Sequence, residues 1–346
     1  MKVGRLIGPG QLAVEERPPP TIGPGEVLIS LAGCGVCGTD LEKLRGNYAS
    51  AGILGHEPVG VVAQVGAQVR SVAPGERAFV HHHVPCYTCE ICRRGDITFC
   101  PTYAKTNLDP GGFAEQFRVP EENVRRGAIL RLAPRVDWAT GTLLEPAGCA
   151  LTALHRVGLP PGGSVFIVGL GPVGLLYARL AKALGAGWVG GAEIAPLRRT
   201  AAERGRIDST IDPRNPAEVV ELVRSVTDGR GVDLSVVATG SPAAVRLAAS
   251  LTRRGGTLNL FGLPEAGSRL DVDLQELYLR GTRVIPSYAT TEPDIAEVHS
   301  LVVSGRLSIS DLVSHQLPLR ELNEAFRLAQ RPAEALKVVV TGPAIS

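Results

Sequence analysis

The chain has 346 residues, 44% of them hydrophobic and 20% charged, with a formal net charge of +2 at pH 7. That length exceeds one ordinary core and predicts two domains of roughly 150 residues each, and the composition excludes a disordered chain. A near-neutral balance without a Lys/Arg run gives no electrostatic footprint for nucleic acid or anionic lipid, so the expected partners are small molecules and further copies of the chain.

The first ten residues carry Gly and Pro where a secretory leader would carry an apolar core, and the longest apolar tract, 165–189, is broken by glycines, Arg179 and Lys182. Neither suits a leader or a membrane span, and a cytoplasmic protein is expected. Seven cysteines, four of them between 86 and 100, then point to metal ligation, and an odd count argues against a fully paired disulfide framework.

Residues 1–33 read as short strands punctuated by Pro18-Pro19-Pro20 and Gly23-Pro24-Gly25. The loop C-G-V-C-G-T-D at 34–40 follows, leading into a short polar helix through Leu44. After Gly55-His56-Glu57 comes a Val- and Gly-rich segment that predicts β-structure in a strongly curved, barrel-like domain, and Gly75-Glu76-Arg77 turns into the strand A-F-V. Three adjacent histidines, His81, His82 and His83, would alternate faces on an extended segment, so they read as a strand end and receive no role.

Cys86, Cys89, Cys92 and Cys100 have the spacing of a closed four-thiolate site: a thiolate every third residue wraps a small tetrahedral ion, and a fourth closes it. All four positions are filled by protein, so a metal there is structural. Residues 138–155 are expected to form a helix containing Glu145-Pro146. Taken singly, a Cys beside Gly is equally a small buried hydrophobe, and Glu-Pro is equally an N-terminal helix feature. Taken together, Cys37, His56, Glu57 and Glu145 are one thiolate, one imidazole and two carboxylates, the ligand chemistry of a zinc site that keeps a position open for substrate.

At Pro160-Pro161-Gly162-Gly163 the character changes. The strand S-V-F-I-V, the turn Gly169-Leu170-Gly171-Pro172-Val173-Gly174, an apolar-periodic helix ending at Gly185 and the strand W-V-G-G-A deliver Glu193 nineteen residues after Gly174. This is the dinucleotide fingerprint in its required context, with glycines for close approach to pyrophosphate, helix amides as donors and an acid for the ribose hydroxyls. Further strand–helix alternation predicts a parallel doubly wound sheet, and residues from about 290 read as helices and a final strand that returns to the first domain.

The stretches C-G-T-D at 37–40, G-H-E at 55–57, G-E-R at 75–77, the four-cysteine lobe, G-L-G-P-V-G at 169–174, and Gly305 with H-Q-L-P-L at 315–319 resemble the zinc-dependent medium-chain alcohol dehydrogenase family, in particular its polyol (sorbitol) and threonine branches. The resemblance spans essentially the whole chain. It implies an α/β fold: a GroES-like β-rich catalytic domain at 1–153 and 290–346, with a structural zinc lobe at about 86–100, and a Rossmann NAD-binding domain at 154–289.

It also selects Cys37 over Cys34 as the ligand that precedes G-T-D, and gives Glu145 the place held by a second thiolate in the two-cysteine branch, with Glu57 exchanging with it or with water. Two zinc ions per chain follow, one catalytic and one structural. Thr39 would take the hydroxyl proton into a relay. Where the family commonly has His five residues after the ligand cysteine, this chain has Glu42, so the relay ends in that carboxylate or in water. The cofactor set implied is Gly169, Gly171, Pro172, Val173, Gly174, Glu193, Arg198, Gly262, Leu263, Ser287 and Tyr288. Glu193 favours NAD, and Arg198 with Arg199 leaves some NADP use open. The expected activity is hydride transfer from a polyol-like secondary or primary alcohol to NAD, with a threonine-type amino alcohol dehydrogenase, an aldehyde reductase, or a nucleotide-binding protein without turnover as alternatives. A homo-oligomer is expected, a tetramer before a dimer.

Overall fold

Valine, isoleucine and small residues dominate the chain on both sides of Cys37, which suits strands buried on both faces of a bent sheet. The computed structural model describes residues 1–47, 54–264, 267–269 and 273–343. The chain divides into two units, Met1–Gly148 with Thr290–Ser346, and Cys149–Ala289. In the first, β1 (Lys2–Gly8) and β2 (Gln11–Glu16) form an antiparallel hairpin. The bent sheet is built on β3 (Val27–Gly35), with β4 (Pro58–Val65), β5 (Arg77–Val80), β6 (Gln116–Val119) and β7 (Ile129–Arg131).

The second unit carries β8 (Ser164–Val168), β9 (Trp188–Ala192), β10 (Ser209–Ile211), β11 (Val232–Val237), β12 (Thr252–Leu260) and β13 (Arg283–Pro286). They pair in parallel in the order β10-β9-β8-β11-β12-β13. Counted along the chain this is 3-2-1-4-5-6, the doubly wound order whose ligand crevice opens at the strand C-termini, where the order reverses beside the first strand. Buried Phe166, Val168, Val219, Val223, Val237 and Leu251 belong to its core.

The chain then returns to the first unit with β14 (Val313–Pro318) and β15 (Lys337–Thr341). One edge of β3 pairs with β4 along its length; the other is shared, Val27–Ser30 facing β6 and Gly33–Gly35 facing β15. The register sets Cys34 opposite Pro58 and Gly35 opposite Val339. The residues just beyond those pairs, Cys37, His56-Glu57 and Lys337, therefore converge at one end of the sheet.

The segment 138–155 is not one helix. It forms Trp138–Gly141, capped by the Asp137 carboxylate, which accepts from Thr140 N–H at 2.8 Å, and then Leu144–Val157. Pro146 explains the restart: it has no N–H to donate, and its ring fits only the first turn of a helix. Among the described residues, no helix is long and apolar enough to cross a membrane.

Candidate metal centre and nucleotide turn

Cys37 is the N-cap of the helix Gly38–Leu44, with extended backbone (φ −100°, ψ 157°), and its side chain faces the Asp40 backbone N–H in a reciprocal capping box. Asp40, at the third position of that helix, is fully buried and closes the turn: its Oδ2 accepts from Cys37 N–H at 3.2 Å and its Oδ1 from Gly55 N–H at 3.1 Å. The same Oδ1 lies 3.5 Å from His56 Nδ1. A carboxylate on Nδ1 orients the ring and leaves Nε2 for a metal, the usual support of a ligand histidine. Burial opposes charge on both residues, but their mutual attraction outweighs it, joined by the Cys37 sulfur at His56 and by Lys43 and the Gly55 amide at Asp40: His56 is raised well above its ordinary pKa and Asp40 lowered.

Ligand atoms of Cys37, His56 and Glu57 all lie within 4.8 Å of one another. The donor set of sulfur, nitrogen and oxygen fits zinc. Cys34 is outside that group; it is fully buried, and burial first, then the Asp40 and Glu57 charges, push its thiol pKa well up. Glu145, 6% exposed in the first turn of Leu144–Val157, also falls outside the 4.8 Å set, although its charge acts on both Glu57 and Lys337. The Thr39 hydroxyl is 3.8 Å from Cys37 Sγ. Both oxygens of Glu42 are engaged, by Arg45 and by Asn47 at 2.8 Å.

Two neighbours of this centre received no role from the sequence. Lys337 opens β15 and is 3% exposed, and its Nζ donates to Glu57 Oε1 at 2.6 Å. Nζ also lies against Oε2, the oxygen left without a hydrogen-bond partner. Burial raises the Glu57 pKa, with Lys337 opposing; Lys337 is itself raised, its carboxylate and thiolate neighbours outweighing its burial. Gly35 makes room for the pair, since a Cβ there would stand 1.9 Å from Glu57 Oε2 and 2.6 Å from Lys337 Cε.

The second neighbour is His82, whose ring centroid is 5.0 Å from that of His56. The expected alternation of the three histidines fails because β5 ends at Val80: the ring of His82 packs against both His81, at 5.4 Å, and His83, at 4.1 Å.

In the lobe, Sγ separations of 4.0 Å (Cys86–Cys92), 3.5 Å (Cys89–Cys92) and 3.9 Å (Cys89–Cys100) bracket the edge of about 3.8 Å that a tetrahedron of ~2.3 Å bonds requires. Backbone N–H groups point at the sulfurs, Cys86 N at Cys100 Sγ and Cys89 N at Cys86 Sγ, each at 3.3 Å. Amide donors, those of Thr88 and Cys89 foremost, bring the Cys86 thiol down to about 5.

In the second unit, Gly169 (φ +98°) follows β8, Gly171 caps the helix Pro172–Ala183 and Pro172 is its first residue. A Cβ on Gly174 would stand 2.0 Å from Gly169 O, so the turn closes only around glycine. Glu193, 5% exposed after β9, accepts from Leu170 N–H at 3.0 Å and Ala195 N–H at 2.9 Å, and Arg198 lies 3.7 Å from it. The acid thus braces the turn as well as facing it. Gly262 N–H donates to Val237 O at 2.8 Å and Ser287 N–H to Leu260 O at 3.0 Å, which seats both residues at strand C-termini; Leu263 and Tyr288 are exposed there.

Known proteins resemble this chain along most of its length. Residues 23–127 match the alcohol dehydrogenase GroES-like domain, and residues 172–304 match the zinc-binding dehydrogenase family. The sorbitol dehydrogenase of Bacillus subtilis (strain 168) is 32% identical over 98% of this chain and 97% of its own. The alcohol dehydrogenase TADH of Thermus sp. ATN1 superposes with a TM-score of 0.87 at 30% identity, over 99% of this chain and 100% of that one. A zinc-binding dehydrogenase of Sinorhizobium meliloti 1021, solved with NADP bound, has a TM-score of 0.87 at 28% identity over 98% of both chains.

Proposed function

The chain belongs to the zinc-dependent medium-chain alcohol dehydrogenase family, and from that premise we propose that it oxidises a polyol-like secondary or primary alcohol to the ketone or aldehyde at the Cys37–His56 centre, with NAD as acceptor. Its class is that of an oxidoreductase using zinc and a nicotinamide cofactor on small-molecule alcohols. The observation that carries the site assignment is the convergence of Cys37, His56 and Glu57 within 4.8 Å, backed by Asp40 on His56.

The chemistry supplied by zinc when bound is Lewis acidity that lowers the pKa of a substrate hydroxyl, and that of nicotinamide is hydride acceptance. The residues do the rest. Cys37 and His56 hold the ion, Asp40 fixes the His56 ring, and Glu145 and Glu57 are the two carboxylates able to complete the set. Lys337 restrains Glu57, which supports Glu57 as the exchanging ligand and not the permanent one. Thr39 takes the hydroxyl proton as it passes its own on. Since both Glu42 oxygens are already engaged, the proton leaves by water.

The four lobe cysteines would hold a second, structural zinc, and the catalytic domain would comprise 1–153 and 290–346 around a nucleotide domain at 154–289. Gly169, Gly171, Pro172, Val173 and Gly174 would receive the pyrophosphate, and Gly262, Leu263, Ser287 and Tyr288 the nicotinamide half. Glu193 would accept from the ribose hydroxyls and repel a 2′-phosphate, so NAD is preferred to NADP. A cytoplasmic homotetramer is part of the same reading. The exposed edge strand β13, with Val284, and the nearby exposed Leu274, Tyr278 and Leu279 support self-association.

Initial rates of NAD and NADP reduction by the zinc-loaded protein, across polyols, sugar alcohol phosphates, threonine, and simple and aromatic alcohols, test the proposal. Preference for polyols with NAD is expected. Preference for threonine would move the chain to the amino alcohol branch, and cofactor binding without turnover of any alcohol would refute the catalytic reading.

A further inference from the structure

Glu292 plays no part in the mechanism above, yet it joins two segments of the first unit that adjoin the two candidate metal sites. It begins the helix Glu292–Val303, and its side chain is 12% exposed. Its Oε1 lies 2.7 Å from His81 Nδ1, and its Oε2 accepts from the Tyr87 hydroxyl. The partners stand 211 and 205 residues away in sequence, so no local turn explains the arrangement.

Each partner leads to a metal site. Tyr87 lies between Cys86 and Cys89, the first two lobe cysteines, with φ +58°. That conformation is natural to glycine, and a bulky side chain is held there only when its surroundings demand it. Here the demand is visible: the conformation carries the phenol from the lobe to Glu292.

On the other side, His81 is fully buried, with Nε2 at 3.4 Å from the Tyr103 hydroxyl, which donates to Thr290 O at 2.9 Å. Its neighbour His82 packs on His56, and Asn123 Nδ2 donates to the carbonyl of His82 at 2.9 Å, fixing the backbone between them. The Nδ1 of His82 is buried without a hydrogen-bond partner among the described residues.

We propose that Glu292 is a positioning residue that ties the four-cysteine lobe, through Tyr87, to the wall of the Cys37–His56 centre, through His81 and His82, so that the lobe sets how the alcohol is seated. This rests on the assignment of Cys37 and His56 as catalytic ligands. A carboxylate suits the task because it accepts at both oxygens, whereas an amide offers one acceptor and one donor group.

The test uses zinc-loaded Tyr87→Phe, Glu292→Gln and the double variant, with the best alcohol of the panel. Each single variant is expected to raise the KM for alcohol at least ~10-fold, the scale seen when outer partners of a metal site are lost, with the KM for NAD and the zinc content unchanged. The double variant should be no worse than Glu292→Gln alone, because both act through one link. The ring ¹⁵N resonances of His56 and His82 should move in both single variants.

Wild-type alcohol KM and unmoved His56 and His82 signals in Tyr87→Phe would overturn the proposal, as would loss of lobe zinc with the alcohol KM unchanged. Tyr87→Phe retains the ring and keeps the test decisive where Glu292→Gln fails to fold. A Cys37→Ala variant that keeps the full zinc content and turnover would instead refute the assignment of the centre itself.

Discussion

Replacing Lys337 with Met probes the buried pair beneath the metal centre. Lys337 and Glu57 are 3% and 0% exposed in their side chains, and Nζ to Oε1 is 2.6 Å. Removing one partner of such a pair leaves a buried charge without the group that chiefly balances it, which costs about 3–5 kcal/mol. The cost depends on pH. Burial already raises the Glu57 pKa and Lys337 is the main group opposing it, so in Lys337→Met the carboxylate titrates higher still. A folded-state pKa above the unfolded value means that the native state binds the extra proton. The stability of the variant is therefore greatest below the unfolded pKa and falls as pH rises toward the folded one, by about 1.4 kcal/mol per pH unit for one proton.

Neutralising both partners, as in Glu57→Gln with Lys337→Met, should recover most of the loss. The assay is urea unfolding between pH 5 and 8 at saturating zinc, followed by Trp138 fluorescence in a Trp188→Phe background and read at each pH as the difference from that background protein, which cancels the pH dependence of zinc binding common to both. Trp138 belongs to the first unit and has the Arg77 guanidinium 4.1 Å over its ring. A loss under about 1 kcal/mol at pH 8, or a double variant as unstable as the sum of the single ones, would refute the reasoning.

Zinc at the centre competes with a proton on His56, whose pKa is raised, so affinity there should fall as pH drops and binding should release protons, measurable by calorimetry in buffers of different ionisation enthalpy. Asp40→Asn removes the charge that holds that proton, so proton release should fall, while loss of ring orientation weakens zinc about 10–100-fold; unchanged proton release would contradict the Asp40–His56 link. Gly174→Ala drives a Cβ to 2.0 Å from Gly169 O, and the variant should lose NAD affinity, read by cofactor fluorescence, while keeping its zinc; wild-type NAD affinity would remove the turn from the cofactor site.

What the sequence reveals of the site depends on whether a signal is local. The four lobe cysteines and the glycine turn announce themselves because their chemistry depends on spacing within a few residues. Cys37, His56 and Glu57 are legible by residue type, and the β3–β4 register turns their order into proximity. Asp40 stands in the C-G-T-D motif, yet its bond to His56 depends on a chain reversal that the motif does not contain. Lys337 is harder still: within A-L-K-V-V-V-T-G a lysine reads as a solvent-facing residue, and only a carboxylate 280 residues away explains its burial. The three histidines mislead for a different reason. Alternation holds only on a strand, and nothing local says that β5 stops at Val80. Pro146, by contrast, is a legible break that a long apolar periodicity obscures.

The most direct measurement is NAD reduction with the preferred alcohol by zinc-loaded wild type and by Cys37→Ala, with zinc counted in both. The account predicts turnover and two zinc ions per chain in the wild type, and in the variant one zinc, retained NAD binding and no turnover. Undiminished turnover in Cys37→Ala would contradict it.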